Sequence, residues 1–164
     1  MARVYVSMGS NIDRDYYIHA GVTALREHYG RVSLSRVYES EAVGFTGDHF
    51  YNLVAGFDTE QSVRVVAASL RDIEQQHARD RRAPRFSPRT LDLDLLLYDD
   101  AVVNDGALQL PRDEITRYAF VLGPLAEIAG TERHPLSGRS YAELWRDFAD
   151  KDAQPMWPAA VEIA

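Results

Sequence analysis

Positive charge and paired carboxylates meet in one short stretch of the sequence. Five arginines lie within residues 79–89, and Asp92 and Asp94 follow in an alternating Leu-Asp run. Guanidinium groups bind phosphate oxygens in a two-pronged manner, and carboxylates hold the divalent cation that bridges such oxygens. This combination predicts a site for a polyphosphate carried by a metal ion, and a nucleotide is the first candidate.

The Leu-Asp alternation predicts where the two carboxylates point. Successive side chains of a strand point to opposite faces, so the odd-numbered leucines from Leu91 to Leu97 should share one face and both aspartates the other. The Cα atoms of Asp92 and Asp94 should then lie roughly 6 to 7 Å apart, which suits a shared Mg²⁺ or a pair of them. A Leu-Asp strand considered by itself is more often an ordinary half-buried strand with its polar face in water. The neighbouring arginines shift the interpretation toward a metal site.

Charge and composition exclude several classes of protein. Residues 79–89 carry a formal charge of +4 in a chain of net charge −7, so the positive site is local and suits a small anion better than nucleic acid or an anionic membrane. The first lysine is Lys151, which excludes a lysine-containing P-loop. The chain has no cysteine and no apolar run of the roughly 18 residues that span a membrane. A cytoplasmic protein is expected.

Hydrophobic spacing predicts a β-α-β-β-α-β order for the first part of the chain. Strands are expected at residues 4–8, 32–38, 50–57 and 91–97, and helices at 15–29 and from Ser62 onward. This order is the ferredoxin-like arrangement of the α+β class, an antiparallel sheet with helices packed on one face.

A C-terminal extension should follow this core. It comprises a hairpin around Asn104-Asp105-Gly106, a helix over residues 119–129 and a last helix over 141–148. One domain over residues 1–150 and a loosely held tail over 151–164 are expected.

The stretch Ser-Pro-Arg-Thr-Leu-Asp-Leu-Asp-Leu-Leu-Leu-Tyr at 87–98, preceded by Ile-Glu and spaced arginines, resembles the 6-hydroxymethyl-7,8-dihydropterin pyrophosphokinase family. Further marks of that family are Gly9-Ser10-Asn11, Tyr38 with Val43-Gly44, Asn52, Leu110-Pro111, and Ala119-Phe120-Val121-Leu122 with Pro124-Leu125. The resemblance covers about residues 4–135. It implies transfer of pyrophosphate from ATP to a pterin alcohol in the folate pathway, with AMP as leaving group.

The resemblance also implies a role for each matching residue. Asp92 and Asp94 would hold two Mg²⁺ ions, and together with Arg79 and Arg89 they would form the catalytic group. The residues implied in binding ATP are Glu74, Arg81, Arg85, Arg89 and Arg112. The residues implied in binding the pterin are Gly9, Ser40, Val43, Phe50, Asn52 and Phe120. Without the resemblance, Phe50 and Phe120 would more often be core residues.

The chain departs from the family pattern mainly on the nucleotide side. Arg112-Asp113 replaces a histidine followed by an aromatic residue, and Tyr118 replaces an arginine whose charge Arg117 or Arg112 could supply. A divergent paralogue, binding a pterin or nucleotide with another substrate or without turnover, is therefore the alternative function. An RNA-binding module that uses the arginines is a third hypothesis, which the acidic body disfavours. Small-molecule substrates and a monomer are expected, with a homodimer left open.

Overall fold

The predicted β-α-β-β-α-β order is confirmed, with the second strand split in two. The structure, a computed structural model, describes residues 1–41, 48–78 and 90–163. The strands are β1 (Ala2–Ser10), β2 (Ser33–Leu34), β3 (Tyr38–Ser40), β4 (Phe50–Thr59), β5 (Asp92–Tyr98), β6 (Val103–Asp105), β7 (Leu108–Leu110) and β8 (Met156–Pro158). The helices are α1 (Arg14–Tyr29), α2 (Val63–Ala78), α3 (Glu114–Arg117), α4 (Ala119–Ala129) and α5 (Tyr141–Arg146).

The main sheet is antiparallel and has the order β5-β1-β4-β3-β8, with β2 also pairing with β4. β1 therefore lies between the two strands with which it makes long ladders. β6 and β7 form the separate hairpin that the sequence predicted, and Gly106 adopts the left-handed backbone conformation at its turn.

Strand β5 departs from strict alternation at Leu96. Val6 of β1 pairs with Leu95, whereas Tyr5 pairs with Leu97, so Leu96 is the extra residue of a β-bulge. Leu95 stays in the core beneath α1 and α2, but Leu96 and Leu97 both pack in the cluster on the opposite face. The expectation that Leu97 shares the face of the other odd-numbered leucines is wrong, because the bulge shifts the alternation by one residue.

Helices cover both faces of the sheet. α1 and α2 bury Ile18, Val22 and Leu70 against one face, as the ferredoxin-like order predicts. α4 packs Leu122 and Leu125 against the other face, together with residues of α3 and α5. The expectation of helices on one face thus holds for the β-α-β-β-α-β unit, and the C-terminal extension adds a second helical layer. Within the described ranges, no helix is long and apolar enough to cross a membrane.

The expectation of a loosely held C-terminal tail is wrong. Met156–Pro158 form strand β8, in which Met156 pairs with Ser40 of β3. The exposed main chain of an edge strand can pair with a further strand. Here β8 of the same chain pairs with β3 in this way. Met156 also fills space beside Gly123 of α4, where a β-carbon would collide with the methionine methyl group.

His134 is a buried imidazole in the turn that follows α4. Its side chain is 7% exposed, and its Nδ1 accepts hydrogen bonds from the backbone N–H groups of Leu136 (3.2 Å) and Ser137 (3.3 Å). Burial lowers the pKa of His134 below its ordinary value of 6.5. The unfolded chain therefore binds this proton more readily than the folded protein does, and stability that is present at neutral pH is lost as pH falls below about 6.5.

We expect the His134→Asn variant to lose less unfolding free energy between pH 7.5 and pH 5.5 than the native protein, since asparagine offers an acceptor that does not titrate. Urea unfolding at both pH values measures the difference. The His28→Asn variant alters an exposed histidine of α1 and should retain the native loss. An equal loss in the native protein and the His134 variant would contradict the prediction.

Candidate active site

One cavity gathers most of the residues singled out in the sequence. It opens over the face of the sheet covered by α4 and is bounded by β1, β3, β4, β5 and the α3–α4 region. Its lining includes Gly9, Ser40, Phe50, Asn52, Asp92, Asp94, Arg112 and Phe120, all of them predicted site residues. Residues that were not predicted as site residues also line it, namely Ser7, Glu41, Leu96, Glu114, Tyr118 and Val121.

The register of the central strand explains why residues distant in sequence meet here. Gly9 of β1 pairs with Asn52 of β4 on one side and with Asp92 of β5 on the other. Ser7, two residues earlier, pairs with Asp94. Directly paired residues carry side chains on the same face, so a row across the sheet brings an amide, an open position and a carboxylate together.

Gly9 keeps the centre of this row open. A β-carbon at Gly9 would lie 3.1 Å from Oδ1 of Asn52, closer than ordinary van der Waals contact. The Nδ2 group of Asn52 donates a buried hydrogen bond of 2.7 Å to Oγ of Ser40. This bond fixes the amide and leaves its Oδ1 above Gly9, where it can accept a hydrogen bond from a bound ligand.

Aromatic rings form another wall of the cavity. Phe120 stacks on Tyr118, with ring centroids 5.2 Å apart and planes inclined by 19°. Phe50 lies on β4, two residues before Asn52, and is only half-buried, as Phe120 is. Half-buried aromatic faces beside a fixed amide suit a flat heterocycle that has hydrogen-bonding groups on its edge.

Three carboxyl groups meet at the open edge of β5. Glu74 of α2 accepts a hydrogen bond of 2.8 Å from the backbone N–H of Leu93, which covers a main-chain donor of this edge strand. Burial raises the pKa of Glu74 to about 8; the Leu93 N–H opposes the rise, and Asp92 and Asp94 add to it by a hydrogen bond and by their charges. The raised pKa favours the protonated, neutral form of Glu74 beside the two aspartates.

Arg112 is positioned beside these carboxylates by its backbone, which donates a hydrogen bond of 3.0 Å to the carbonyl of Leu96. Its Nη2 lies 3.4 Å from Oδ1 of Asp94, and its Nε lies 2.8 Å from Oε2 of Glu114. The guanidinium therefore connects the predicted metal ligands with the start of α3.

The cavity is strongly acidic in the described part of the chain. Four carboxylates line it, those of Glu41, Asp92, Asp94 and Glu114, against the single guanidinium of Arg112. Side-by-side carboxylates repel each other unless a cation lies between them. Among the described residues, no three carboxyl or imidazole groups are arranged to hold one metal ion, so a divalent cation at Asp92 and Asp94 would need further oxygens, for example from phosphate or water.

Several predicted site residues lie outside the described residues, namely Val43, Arg79, Arg81, Arg85 and Arg89. Their roles stay predictions. Glu74 does not line the cavity, but it lies directly behind it at Asp92.

Comparison with known families agrees with this geometry. The model of the family 7,8-dihydro-6-hydroxymethylpterin-pyrophosphokinase matches residues 5–130, a range that includes Gly9, Asn52 and Asp92. The chain belongs to this family. The family resemblance noted in the sequence is therefore confirmed. Pterin pyrophosphokinases are ATP-dependent diphosphotransferases of folate biosynthesis.

Three relatives of similar length share the name 2-amino-4-hydroxy-6-hydroxymethyldihydropteridine pyrophosphokinase. The protein of Aquifex aeolicus is 33% identical over 88% of this chain and 91% of its own length. That of Haemophilus influenzae is 33% identical over 92% of this chain and 95% of its own length. That of Pseudomonas aeruginosa is 36% identical over 87% of this chain and 89% of its own length.

Solved structures show the same fold. The Plasmodium falciparum HPPK-DHPS wild type with pterin and p-hydroxybenzoate matches with a TM-score of 0.72 at 11% identity, over 93% of this chain and 44% of that one. An HPPK-DHPS in complex with substrates matches with a TM-score of 0.73 at 11% identity, over 92% of this chain and 44% of that one. This chain spans less than half of those longer pyrophosphokinase chains, and the likeness confirms the ferredoxin-like α+β class.

Two of the six lining residues that were not predicted, Ser7 and Glu114, were missed for different reasons. Ser7 precedes Gly9 by two positions on one strand, so the period of two could have placed it on the same face. Glu114 belongs to α3, a helix of four residues that has too few turns to produce a hydrophobic period. Its ion pair with Arg112 became visible only in three dimensions.

Proposed function

We propose that this chain catalyses the Mg²⁺-dependent transfer of a diphosphate group from ATP to the hydroxymethyl group of 6-hydroxymethyl-7,8-dihydropterin. The observation that carries the proposal is the row Asn52–Gly9–Asp92, which joins a slot for a flat ring to a pair of carboxylates within one cavity.

The amide side of the cavity would bind the pterin. Oδ1 of Asn52 accepts a hydrogen bond from the amino edge of the heterocycle, while Ser40 holds the amide in place. Phe50 and Phe120 supply aromatic faces for the ring, and the absence of a side chain at Gly9 leaves it room to lie against the sheet.

The carboxylate side would bind the triphosphate. Asp92 and Asp94 would hold Mg²⁺, two ions in our proposal, and the metal would neutralise phosphate oxygens and polarise the β-phosphorus. Arg112, already beside Asp94, supplies a guanidinium for the same phosphates. The arginines at 79, 81, 85 and 89 are proposed to do the same on the sequence evidence alone.

In the reaction, the pterin hydroxymethyl oxygen forms a bond to the β-phosphorus of ATP. The bond from that phosphorus to the oxygen bridging to the α-phosphate breaks, AMP leaves, and the hydroxyl proton is released. No histidine lines the cavity among the described residues, so we assign no general base. Alignment of the two substrates and neutralisation of charge are the sources of catalysis that the site offers.

We expect the native protein to form AMP and the pterin diphosphate in equal amounts from ATP, Mg²⁺ and the pterin alcohol, and to lose this activity when excess EDTA is added. Chromatography separates AMP from ADP, and excess Mg²⁺ should restore the reaction. Formation of ADP would indicate transfer of a single phosphoryl group. Pterin binding without any nucleotide product would instead favour the paralogue without turnover.

A further inference from the structure

Gln154 joins the C-terminal segment to the aromatic wall of the cavity. Its Oε1 accepts a hydrogen bond of 2.8 Å from the backbone N–H of Ala119, and its Nε2 donates one of 3.0 Å to the backbone carbonyl of Arg117. These two backbone groups lie immediately before and after Tyr118. A single side-chain amide therefore fixes the backbone on both sides of the residue that stacks on Phe120.

The N-terminus of α4 depends on this contact. Tyr118, its N-cap residue, offers no side-chain hydrogen bond to the first turn, and the first helical residue, Ala119, is 1% exposed. A buried N–H without an acceptor costs about 1–3 kcal/mol, and Gln154 supplies that acceptor from a distant part of the chain. Phe120 lies in the first turn of α4, so the position of Phe120 depends on this hydrogen bond.

The segment that presents Gln154 is itself held on several sides. The backbone N–H of Gln154 donates to the carbonyl of Asp150 at 3.0 Å. Lys151 places its ammonium 4.5 Å from the centre of the Trp145 ring. Met156 then packs beside Gly123 of α4 and pairs with Ser40, the residue that holds the Asn52 amide.

We propose that Gln154 is a positioning residue for pterin binding, which holds the Tyr118–Phe120 pair against the ring of the substrate. Gln154 lies outside residues 5–130, the range that the family model matches. The inference rests on the proposed function and adds a residue to it that contacts no substrate. It requires that loss of Gln154 weakens pterin binding while binding of ATP, on the carboxylate side, stays as it is.

The test compares Gln154→Met with Gln109→Met, which makes the same change at an exposed position of β7. Methionine keeps the length of the side chain but forms neither hydrogen bond. We expect the pterin Kd, measured by fluorescence titration, to rise about tenfold in Gln154→Met. The Kd of a non-hydrolysable ATP analogue with Mg²⁺ should stay within about twofold, and Gln109→Met should change neither.

Steady-state kinetics and a second variant separate positioning from a general loss of structure. KM for the pterin should rise more than kcat falls. Gln154→Glu keeps an acceptor for the Ala119 N–H but loses the donor to the Arg117 carbonyl, so its pterin Kd should lie between those of the native protein and Gln154→Met. This variant also serves if Gln154→Met fails to fold.

Amide hydrogen exchange supplies a readout that needs no substrate, since exchange at Ala119 should be faster in Gln154→Met. An unchanged pterin Kd, equal changes in both affinities, or unchanged exchange at Ala119 would each overturn the inference while the proposed function stands. Failure of the native protein to bind the pterin would overturn the proposed function, and this inference with it.

Discussion

Replacing Asp94 by asparagine should reduce AMP formation from ATP and the pterin alcohol by roughly a thousandfold or more, because a metal ligand at the reacting phosphates contributes several kcal/mol to stabilising the transition state. Asparagine keeps the shape of the side chain and removes its charge. The same change at Asp92 should have a similar effect, since the two carboxylates share one face of β5 and one cavity. Single-turnover product analysis by chromatography measures the loss.

The fold should survive the Asp94 change. The Arg112–Asp94 pair has an N–O distance of 3.4 Å and side chains about one third exposed, and such pairs contribute little to stability. Pterin affinity should also remain, since the amide side of the cavity is untouched. Asp100→Asn, in the exposed turn after β5, is the matched control and should retain native activity. Native rates in Asp94→Asn would show that the paired aspartates do not hold the catalytic metal.

Replacing Asn52 by alanine should raise the Kd for the pterin by about a hundredfold. The change removes the acceptor above Gly9 and leaves Oγ of Ser40 without the donor that it has at 2.7 Å. Hydrogen bonds lost from a buried polar site cost about 1–3 kcal/mol each, and the loss falls on the ligand edge that carries specificity. Equilibrium fluorescence titration of the pterin measures the effect.

Nucleotide binding on the carboxylate side of the cavity is the internal control for this prediction. The affinity for a Mg²⁺-bound ATP analogue should change little in Asn52→Ala, because Asn52 and the aspartates lie on opposite sides of Gly9. Asn104→Ala, in the exposed hairpin, makes the same substitution away from the site and should leave both affinities native. A parallel loss of pterin and nucleotide binding in Asn52→Ala would point to a collapsed cavity instead of a lost recognition group.

Local patterns in the sequence were enough to predict part of the site. The period of two placed Asp92 and Asp94 on one face of a strand, and both line the cavity. The helix over residues 119–129 was predicted with the bounds that the structure shows. These features depend on spacing between near neighbours, which a sequence displays directly.

Features set by pairing between distant segments could not be predicted in the same way. The bulge at Leu96 depends on how β5 aligns with β1, and one residue of shift moved Leu97 to the other core. The contact of Gln154 with α4 joins residues 35 positions apart and carries no spacing signal. The family resemblance supplied Asn52 and Phe120; residue type alone favoured a core position for Phe120.

Strand β8 has a consequence for how this enzyme can be shortened or fused. The range that the family model matches ends at residue 130, yet the wall that carries Phe120 is held by Gln154, and the strand that carries Ser40 is paired as far as Pro158. A truncation placed after the last helix, or a fusion partner joined there, would leave Asp92 and Asp94 in place and remove the support of the proposed pterin slot. If Gln154 positions the pterin wall as proposed, we expect the smallest unit with full pterin affinity to extend to Pro158.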